Sequence, residues 1–188
     1  MAVTIRPYQN KDQAHVEQIC IATAGAGFVK TPFREKAAVA AFCRYFITRC
    51  PETCFVAADE RDIPVGYILC TTSFGNWCKY GPEQFLTGFP FSILWSIGSM
   101  LGGLPYVKNY PAHLHINLLP PYQHQGLGKR LMQVLEAELR KRNCSGVSLC
   151  VDQNNHGAMR FYESCGFHVL GRHPGSVAYG KRLKEVRR

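Results

Sequence analysis

The sequence predicts a mixed α/β protein built on a central sheet, and three observations predict it. The chain has 188 residues, 46% of them apolar, enough for the core of one domain of ordinary size. Its first half carries a hairpin signal, two short apolar runs separated by the polar turn Asp59-Glu60-Arg61-Asp62. Its second half alternates strand-like and helix-like segments in βαβαβ order, and that order after an antiparallel hairpin predicts a mixed sheet.

In chain order, Val3-Thr4-Ile5-Arg6-Pro7 alternates and stops at a proline, as a strand does. Asp12 is placed to cap a helix carrying Ala14, Val16, Ile19, Cys20 and Ile21. Over 32–49 the apolar residues Ala38, Val39, Ala41, Phe42, Tyr45 and Phe46 recur at helical spacing, and Pro51 ends that second helix. Residues 54–58 and 65–70 are the two strands of the hairpin. Strands are then expected at 114–119, 147–151 and 167–170, with helices at 126–142 and 155–165. The basic tail 181–188 reads as a solvated terminus.

Residues 73–110 differ from their surroundings. Between 85 and 107 there is no charged residue, and Phe85, Phe89, Phe91, Trp95 and Tyr106 stand among glycines and prolines. A stretch of that length is long enough for a bilayer, but Pro90, Pro105 and the glycines and serines break and dilute it, which argues against a membrane span. The expectation is a lid, a substrate wall or a self-association surface that would make a homodimer.

Lys and Arg number 22 against 13 Asp and Glu, a formal charge of +9, which favours a polyanionic partner such as nucleic acid or a phosphorylated cofactor. Nucleic acid is set aside because the aromatic-rich stretch is uncharged, whereas single-strand binding wants aromatics interleaved with basic residues. Nine cysteines is an odd count, no CxxC pair occurs, and the N-terminus lacks the basic-then-apolar layout of a secretory signal. That pattern indicates a reducing, cytoplasmic setting with buried structural thiols and no metal site.

The densest chemistry lies in Leu118-Leu119-Pro120-Pro121-Tyr122-Gln123-His124-Gln125-Gly126-Leu127-Gly128-Lys129-Arg130, where a strand passes through a short loop into a helix. The unpaired N–H groups of a first helical turn favour phosphate, and two glycines let it reach the backbone. The residues fit neither a dinucleotide fingerprint, since Leu131 stands where a third small residue is needed, nor a P-loop, whose glycines are further apart and whose hydroxyl is replaced by Arg130. In the second stretch, Asn155-His156-Gly157-Ala158-Met159-Arg160-Phe161-Tyr162-Glu163-Ser164-Cys165-Gly166-Phe167, Asn155 and Tyr162 lie nearly two helical turns apart on one face, and Gly166 is suited to a left-handed helix stop. The same spacing also serves a tyrosine packed in the core with its hydroxyl satisfied.

Together the two stretches resemble the GNAT acetyltransferase superfamily. Its pattern Gln/Arg-x-x-Gly-x-Gly/Ala is met by Gln123, Gly126 and Gly128, and its Asn-x-x-Ala-x-x-Phe-Tyr-x-x-x-Gly-Phe by Asn155, Ala158, Phe161, Tyr162, Gly166 and Phe167. The resemblance runs from the first strand to the end of the chain, with 73–110 as an insertion longer than the family's usual link. It implies a single domain over 1–188 with a mixed, mostly antiparallel, twisted sheet of about seven strands flanked by helices, the insertion preceding the fourth strand. The segment 111–120 also resembles bacterial acetyltransferases related to the acetyltransferase-like domain of O-GlcNAcase.

The resemblance implies an N-acetyltransferase that moves an acetyl group from acetyl-CoA directly to a primary amine. Backbone groups of Ile116, Asn117 and Leu118 would pair with the pantetheine arm, residues 124–129 would wrap the pyrophosphate through their N–H groups, and Asn155 would hold the donor by its side-chain amide. Tyr162 would protonate the departing thiolate. The carboxylate base of many relatives is missing, Ala112 and Cys150 standing in its places, so the proton acceptor falls to His115, which shares a strand face with His113, or to water leading to Asp152. The alternative role for the two histidines is structural, at a strand edge, bonded to backbone. The alternative for the whole chain is a non-catalytic acyl-CoA-binding or regulatory module.

Overall fold

The computed structural model of the chain describes residues 2–24, 31–80 and 103–183. Seven strands form one sheet: β1 Thr4–Pro7, β2 Phe55–Ala58, β3 Pro64–Thr71, β4 Ala112–Leu118, β5 Gly146–Asp152, β6 His168–His173 and β7 Ser176–Arg182, in the order β1-β2-β3-β4-β5-β7-β6. Every neighbouring pair is antiparallel except β4 and β5, which run parallel. The mixed, mostly antiparallel sheet expected from the sequence is thus observed.

Period-two alternation sends the strands' side chains to two separate cores. On one face Ile68, Leu114, Leu149 and Tyr179 meet α5 (Leu127–Lys141), whose Leu131, Leu135 and Leu139 fall on one stripe and are fully buried. Each such leucine contributes about 2 kcal/mol of hydrophobic stabilisation. The short helix α6 (His156–Ser164) closes the same face. On the opposite face Val56, Tyr67 and Leu69 lie under α1 (Gln13–Thr23), α2 (Pro32–Val39), α3 (Tyr45–Arg49) and α4 (Phe74–Tyr80).

Several elements depart from the sequence expectation, each for a physical reason. Asp12 does not cap α1; its buried carboxylate takes two hydrogen bonds from Arg6, at 2.7 and 2.9 Å, and one from the Gln9 N–H at 2.8 Å. A charge buried to that degree is held by its cation more strongly than a helix end would hold it. The helix over 32–49 is interrupted at Ala40–Arg44 by one turn of π-helix, which rotates Phe42 and Cys43 toward the sheet. The basic tail begins in the sheet rather than in solvent: Lys181 and Arg182 end β7, and the Lys181 ammonium lies 2.6 Å from the buried Glu136 carboxylate and donates to the Cys165 carbonyl at 2.7 Å. Residues 184–188 lie outside the described residues.

Of the insertion, 81–102 lie outside the described residues, so its expected role as lid, wall or interface falls there. Its described ends are α4 and a short turn, Leu104–Tyr106. After that turn the Tyr110 ring lies where side chains at Gly146 and Gly180 would stand, each of their β-carbons falling 2.9 Å from it, and its hydroxyl meets His168 Nε2 at 3.0 Å. No helix among the described residues is long and apolar enough to cross a membrane.

Candidate active site

The parallel pair β4 and β5 is joined only at its beginning, where Ala112 faces Val147 and His113 faces Ser148. Beyond that point β4 stays with β3 up to Leu118 opposite Gly66, while β5 stays with β7 up to Asp152 opposite Ser176. The strands part, and their facing edges lose their partners. Such an edge accepts an extended chain as an added strand.

Which atoms line that slot follows from one hydrogen bond. The Leu119 N–H donates to the Val65 carbonyl at 3.0 Å, and antiparallel alternation then turns the main chain of Asn117 toward Tyr67 and that of Ile116 and Leu118 toward the slot. The expected set of three backbone positions is therefore two: Ile116 and Leu118 face the opening, and Asn117 faces β3. The Leu118 carbonyl is already engaged by Gln123 Nε2 at 2.8 Å.

The loop after β4 is built to present N–H groups. Gln123 braces it through Leu118, and Gln125 Nε2 braces it through the Pro121 carbonyl at 2.7 Å. His124 and Gly126 both adopt left-handed conformations, φ 60° and 77°, turning the chain so that the main-chain N–H groups of residues 124–129 have no acceptor among the described residues. The helix begins at Leu127 with Gly126 as its cap, one residue later than the sequence indicates. The two glycines differ in purpose. A side chain on Gly126 would meet nothing within 4 Å, so glycine is needed there for its φ, whereas a β-carbon on Gly128 would lie 3.0 Å from Phe161 and 3.7 Å from Leu118. Through that close contact the loop, the end of β4 and α6 meet at one place.

In α6, Asn155 is the N-cap, its side-chain oxygen accepting from the Ala158 N–H at 3.0 Å. This commits the carbonyl end of the amide and leaves its NH2 end for another partner. The helix stops as expected at Gly166, φ 83°, with the Phe167 N–H bonded to the Tyr162 carbonyl and the Gly166 N–H to that of Glu163. This Schellman closure packs Phe167 against Tyr162, ring centres 6.0 Å apart, and Phe161 and Tyr179 complete the surround. Tyr162 is buried, and burial pushes its phenol well above the ordinary tyrosine value, so it holds its proton throughout the physiological range.

On the opposite face of the sheet stand His113, His115 and Asn117. Neither ring is bonded to backbone: His113 lies where β4 is paired on both sides, His115 lies on the edge that β4 opens where β5 parts from it, and both rings stack on aromatics instead. His113 lies against Phe74 at 4.5 Å with its buried Nδ1 unpartnered, and burial, with His115 nearby, lowers it to about 3. His115 stacks on Phe42 at 4.9 Å, places Nδ1 3.3 Å from the Tyr67 hydroxyl, and is lowered by burial to about 4. Asn117 Nδ2 donates to the same hydroxyl at 2.9 Å. Tyr67 and Phe42 are additions that sequence reading missed: both look like ordinary core residues, and their only signal was apolar periodicity.

Of the two places where relatives carry a carboxylate, Ala112 is fully buried against the α5 core, and Cys150 is half-buried with its thiol pushed up to about 11 by burial. Asp152 sits exposed at the end of β5, its carboxylate accepting from the Asn154 N–H at 2.8 Å. Among the described residues no three metal-ligating side chains converge.

The sequence profile described as the acetyltransferase (GNAT) family matches residues 16–167. N-alpha-acetyltransferase 30 of Saccharomyces cerevisiae is 23% identical over 128 residues, 66% of this chain and 56% of that protein. The matched stretches cover between 33% and 59% of the length of the curated relatives, less than two thirds. Among solved structures, SsHAT is 28% identical with a TM-score of 0.87, covering 98% of this chain and all of that one. PaiA N-acetyltransferase from Thermoplasma acidophilum, crystallised with coenzyme A, shares the fold at 16% identity and a TM-score of 0.64, covering 97% of this chain and 99% of that one.

Proposed function

The chain belongs to the acetyltransferase (GNAT) family, and from that premise we propose that it is an enzyme transferring the acetyl group of acetyl-CoA directly to a primary amine. The observation that carries this reading is the parting of β4 and β5 beside the uncommitted N–H groups of residues 124–129. A strand-shaped slot ending at a cluster of N–H donors fits a molecule that has an amide-bearing arm at one end and a pyrophosphate at the other. The relative crystallised with coenzyme A supports the same donor.

Acetyl-CoA supplies an acyl group activated as a thioester. In the proposal Ile116 and Leu118 bond its arm, the N–H groups of His124, Gln125, Gly126, Leu127, Gly128 and Lys129 hold the pyrophosphate, and the free NH2 end of Asn155 adds a further donor. The amine attacks the carbonyl carbon, a C–N bond forms as the C–S bond breaks, and the Tyr162 hydroxyl delivers its proton to the leaving sulfur. His115, unprotonated at neutral pH, takes a proton from the acceptor nitrogen on the opposite side of the parted strands.

The same reading includes a cytoplasmic workplace, supported by nine cysteines of which none is in a disulfide. It includes the insertion 73–110 as lid, acceptor wall or self-association surface, and a kinship of 111–120 with the O-GlcNAcase-like group that rests on that stretch alone. One observation favours a second reading, a non-catalytic acyl-CoA-binding module: an imidazole held near 4 is a weak base for an amine.

Calorimetric titration with acetyl-CoA, and separately with CoA lacking its 3′-phosphate, tests the donor site. Micromolar binding is expected, and no binding overturns the reading. A thiol-release assay against a panel of primary amines then separates enzyme from module, since the module binds acetyl-CoA and releases no thiol with any amine.

A further inference from the structure

The Tyr67 hydroxyl has one proton and two lone pairs, and four groups reach it: Asn117 Nδ2 at 2.9 Å, His115 Nδ1 at 3.3 Å, Cys43 Sγ at 3.7 Å and the Cys20 thiol, also in hydrogen-bonding contact. An amide NH2 can only donate, so Asn117 takes one lone pair. One lone pair and one proton remain for His115 and the two thiols, so where a thiol takes the phenol proton a bonded His115 donates, and where His115 takes it a thiol donates. The protonation site of His115 is therefore tied to the direction of a bond between Tyr67 and a buried thiol.

Two arrangements satisfy that constraint. In the first, Cys43 donates to Tyr67 and Tyr67 donates to Nδ1, which puts the histidine proton on Nε2. In the second, Tyr67 donates to Cys43, and His115 donates from Nδ1 to the phenol oxygen. The second frees the Cys43 proton for Cys20, with which it is in hydrogen-bonding contact, and Cys20 in turn donates to the Ala38 carbonyl. The chain Asn117, Tyr67, Cys43, Cys20, Ala38 then runs in one direction and makes one more hydrogen bond than the first, and aligned hydrogen bonds strengthen one another.

We propose that Tyr67 is a positioning residue that holds His115 with its proton on Nδ1, leaving the Nε2 lone pair to take the proton of the acceptor amine. This rests on the acetyltransferase reading above for the role, though not for the tautomer. When an acceptor ammonium gives up a proton, its N–H bond breaks and the proton binds Nε2. The imidazolium formed keeps Nδ1–H on the phenol oxygen until the extra proton passes to solvent. A fixed dipole at that oxygen stabilises a positive charge that burial otherwise opposes. Phe42 from the π-turn and Tyr67 from β3 pack on this ring, His113 of its own strand faces it electrostatically, and Cys43 and Cys20 lie behind the Tyr67 hydroxyl.

The test reads the tautomer without turnover. In protein labelled with 15N-histidine at pH 7, with His115 assigned by its loss in His115→Ala, the two ring-nitrogen shifts report which one is protonated. Protonation at Nδ1 is expected. Protonation at Nε2 in the unaltered protein overturns the assignment. Cys20→Ala combined with Cys43→Ala removes both thiol acceptors of the phenol proton, and the His115 tautomer is expected to reverse; an unchanged tautomer also overturns the network. In kinetics, Tyr67→Phe should lower kcat/KM about tenfold and move its acid limb to lower pH, whereas loss of a merely structural contact lowers the plateau and leaves the limb in place. If the tautomer is as expected but no amine is acetylated, the acetyltransferase reading fails and the tautomer assignment stands.

Discussion

The two faces of the sheet meet at the same parted strands but are assembled in different ways. On the α5 and α6 face, each functional group is placed by residues close to it in sequence: left-handed His124 and Gly126 aim the loop N–H groups, Asn155 caps α6, and Gly166 with Phe167 pins Tyr162. On the other face, His115 is placed by Tyr67 from β3 and by Phe42 and Cys43 from a π-turn, residues far from it in the chain. The comparison teaches that the groups proposed to bind the donor are locally encoded and hence recognisable as motifs. The groups proposed for the acceptor side are set by packing, where no spacing rule applies.

The largest expected effect tests the locally encoded face. Tyr162→Phe should lower turnover by roughly 10²–10⁴-fold, the range for a lost general acid, with acetyl-CoA affinity by calorimetry nearly unchanged. Turnover equal to that of the unaltered protein would remove Tyr162 from the chemistry.

The packed face should be revealed by acid. Both half-buried histidines are lowered, to about 3 and about 4, from an unfolded value of about 6.5. Above pH 6.5 both are neutral whether folded or not, so their contribution is intact there. As pH falls from 6.5 toward 3 the unfolded chain takes up protons that the folded protein refuses, and stability is lost by roughly 3 kcal/mol for His115 and roughly 5 kcal/mol for His113 in full. Denaturant titrations at pH 7 and pH 4.5 should show a fall in unfolding free energy that is reduced in His113→Phe; an equal fall in both proteins would mean that His113 is solvated.

A smaller effect is expected at the loop. Gly126→Val forces a β-branched residue into a left-handed conformation, costing about 1–3 kcal/mol of backbone strain. It should weaken acetyl-CoA binding about tenfold or more by turning the N–H groups away. If affinity survives, the phosphate lies elsewhere. The smallest shift is expected from Lys181→Met, which leaves the Glu136 carboxylate with Arg140 as its remaining cation, 2.9 Å away. A loss of 1–2 °C in melting temperature and unchanged acetyl-CoA affinity would keep Lys181 outside the site, at roughly the 0.2–1 kcal/mol value of a partly exposed pair.

Reading the sequence located the hairpin, the helix after β4 and the helix carrying Tyr162 to within a few residues, because alternation, helical periodicity, a left-handed glycine and an N-capping asparagine are all local constraints. It also reads residues 124–129 as an anion loop, which the proposed function retains. It misassigned Asp12, since a carboxylate near a helix start looks like a cap until a distant arginine is seen beside it. It took Lys181 and Arg182 for solvent-exposed tail, since a short basic segment shows no strand signal until β5 offers it a partner.

What the sequence alone determined was therefore the set of elements, their order and the half of the site made from consecutive residues. Tertiary structure alone decided where β4 and β5 part, that Asn117 turns its main chain to β3 while Ile116 and Leu118 face the slot, and that His115 shares a hydroxyl with Asn117 and Cys43. The physical reason is range. Caps, turns and amphipathic stripes depend on neighbours within a few residues, whereas strand pairing, burial of a titrating ring and the direction of a hydrogen-bond chain depend on groups that only folding brings together.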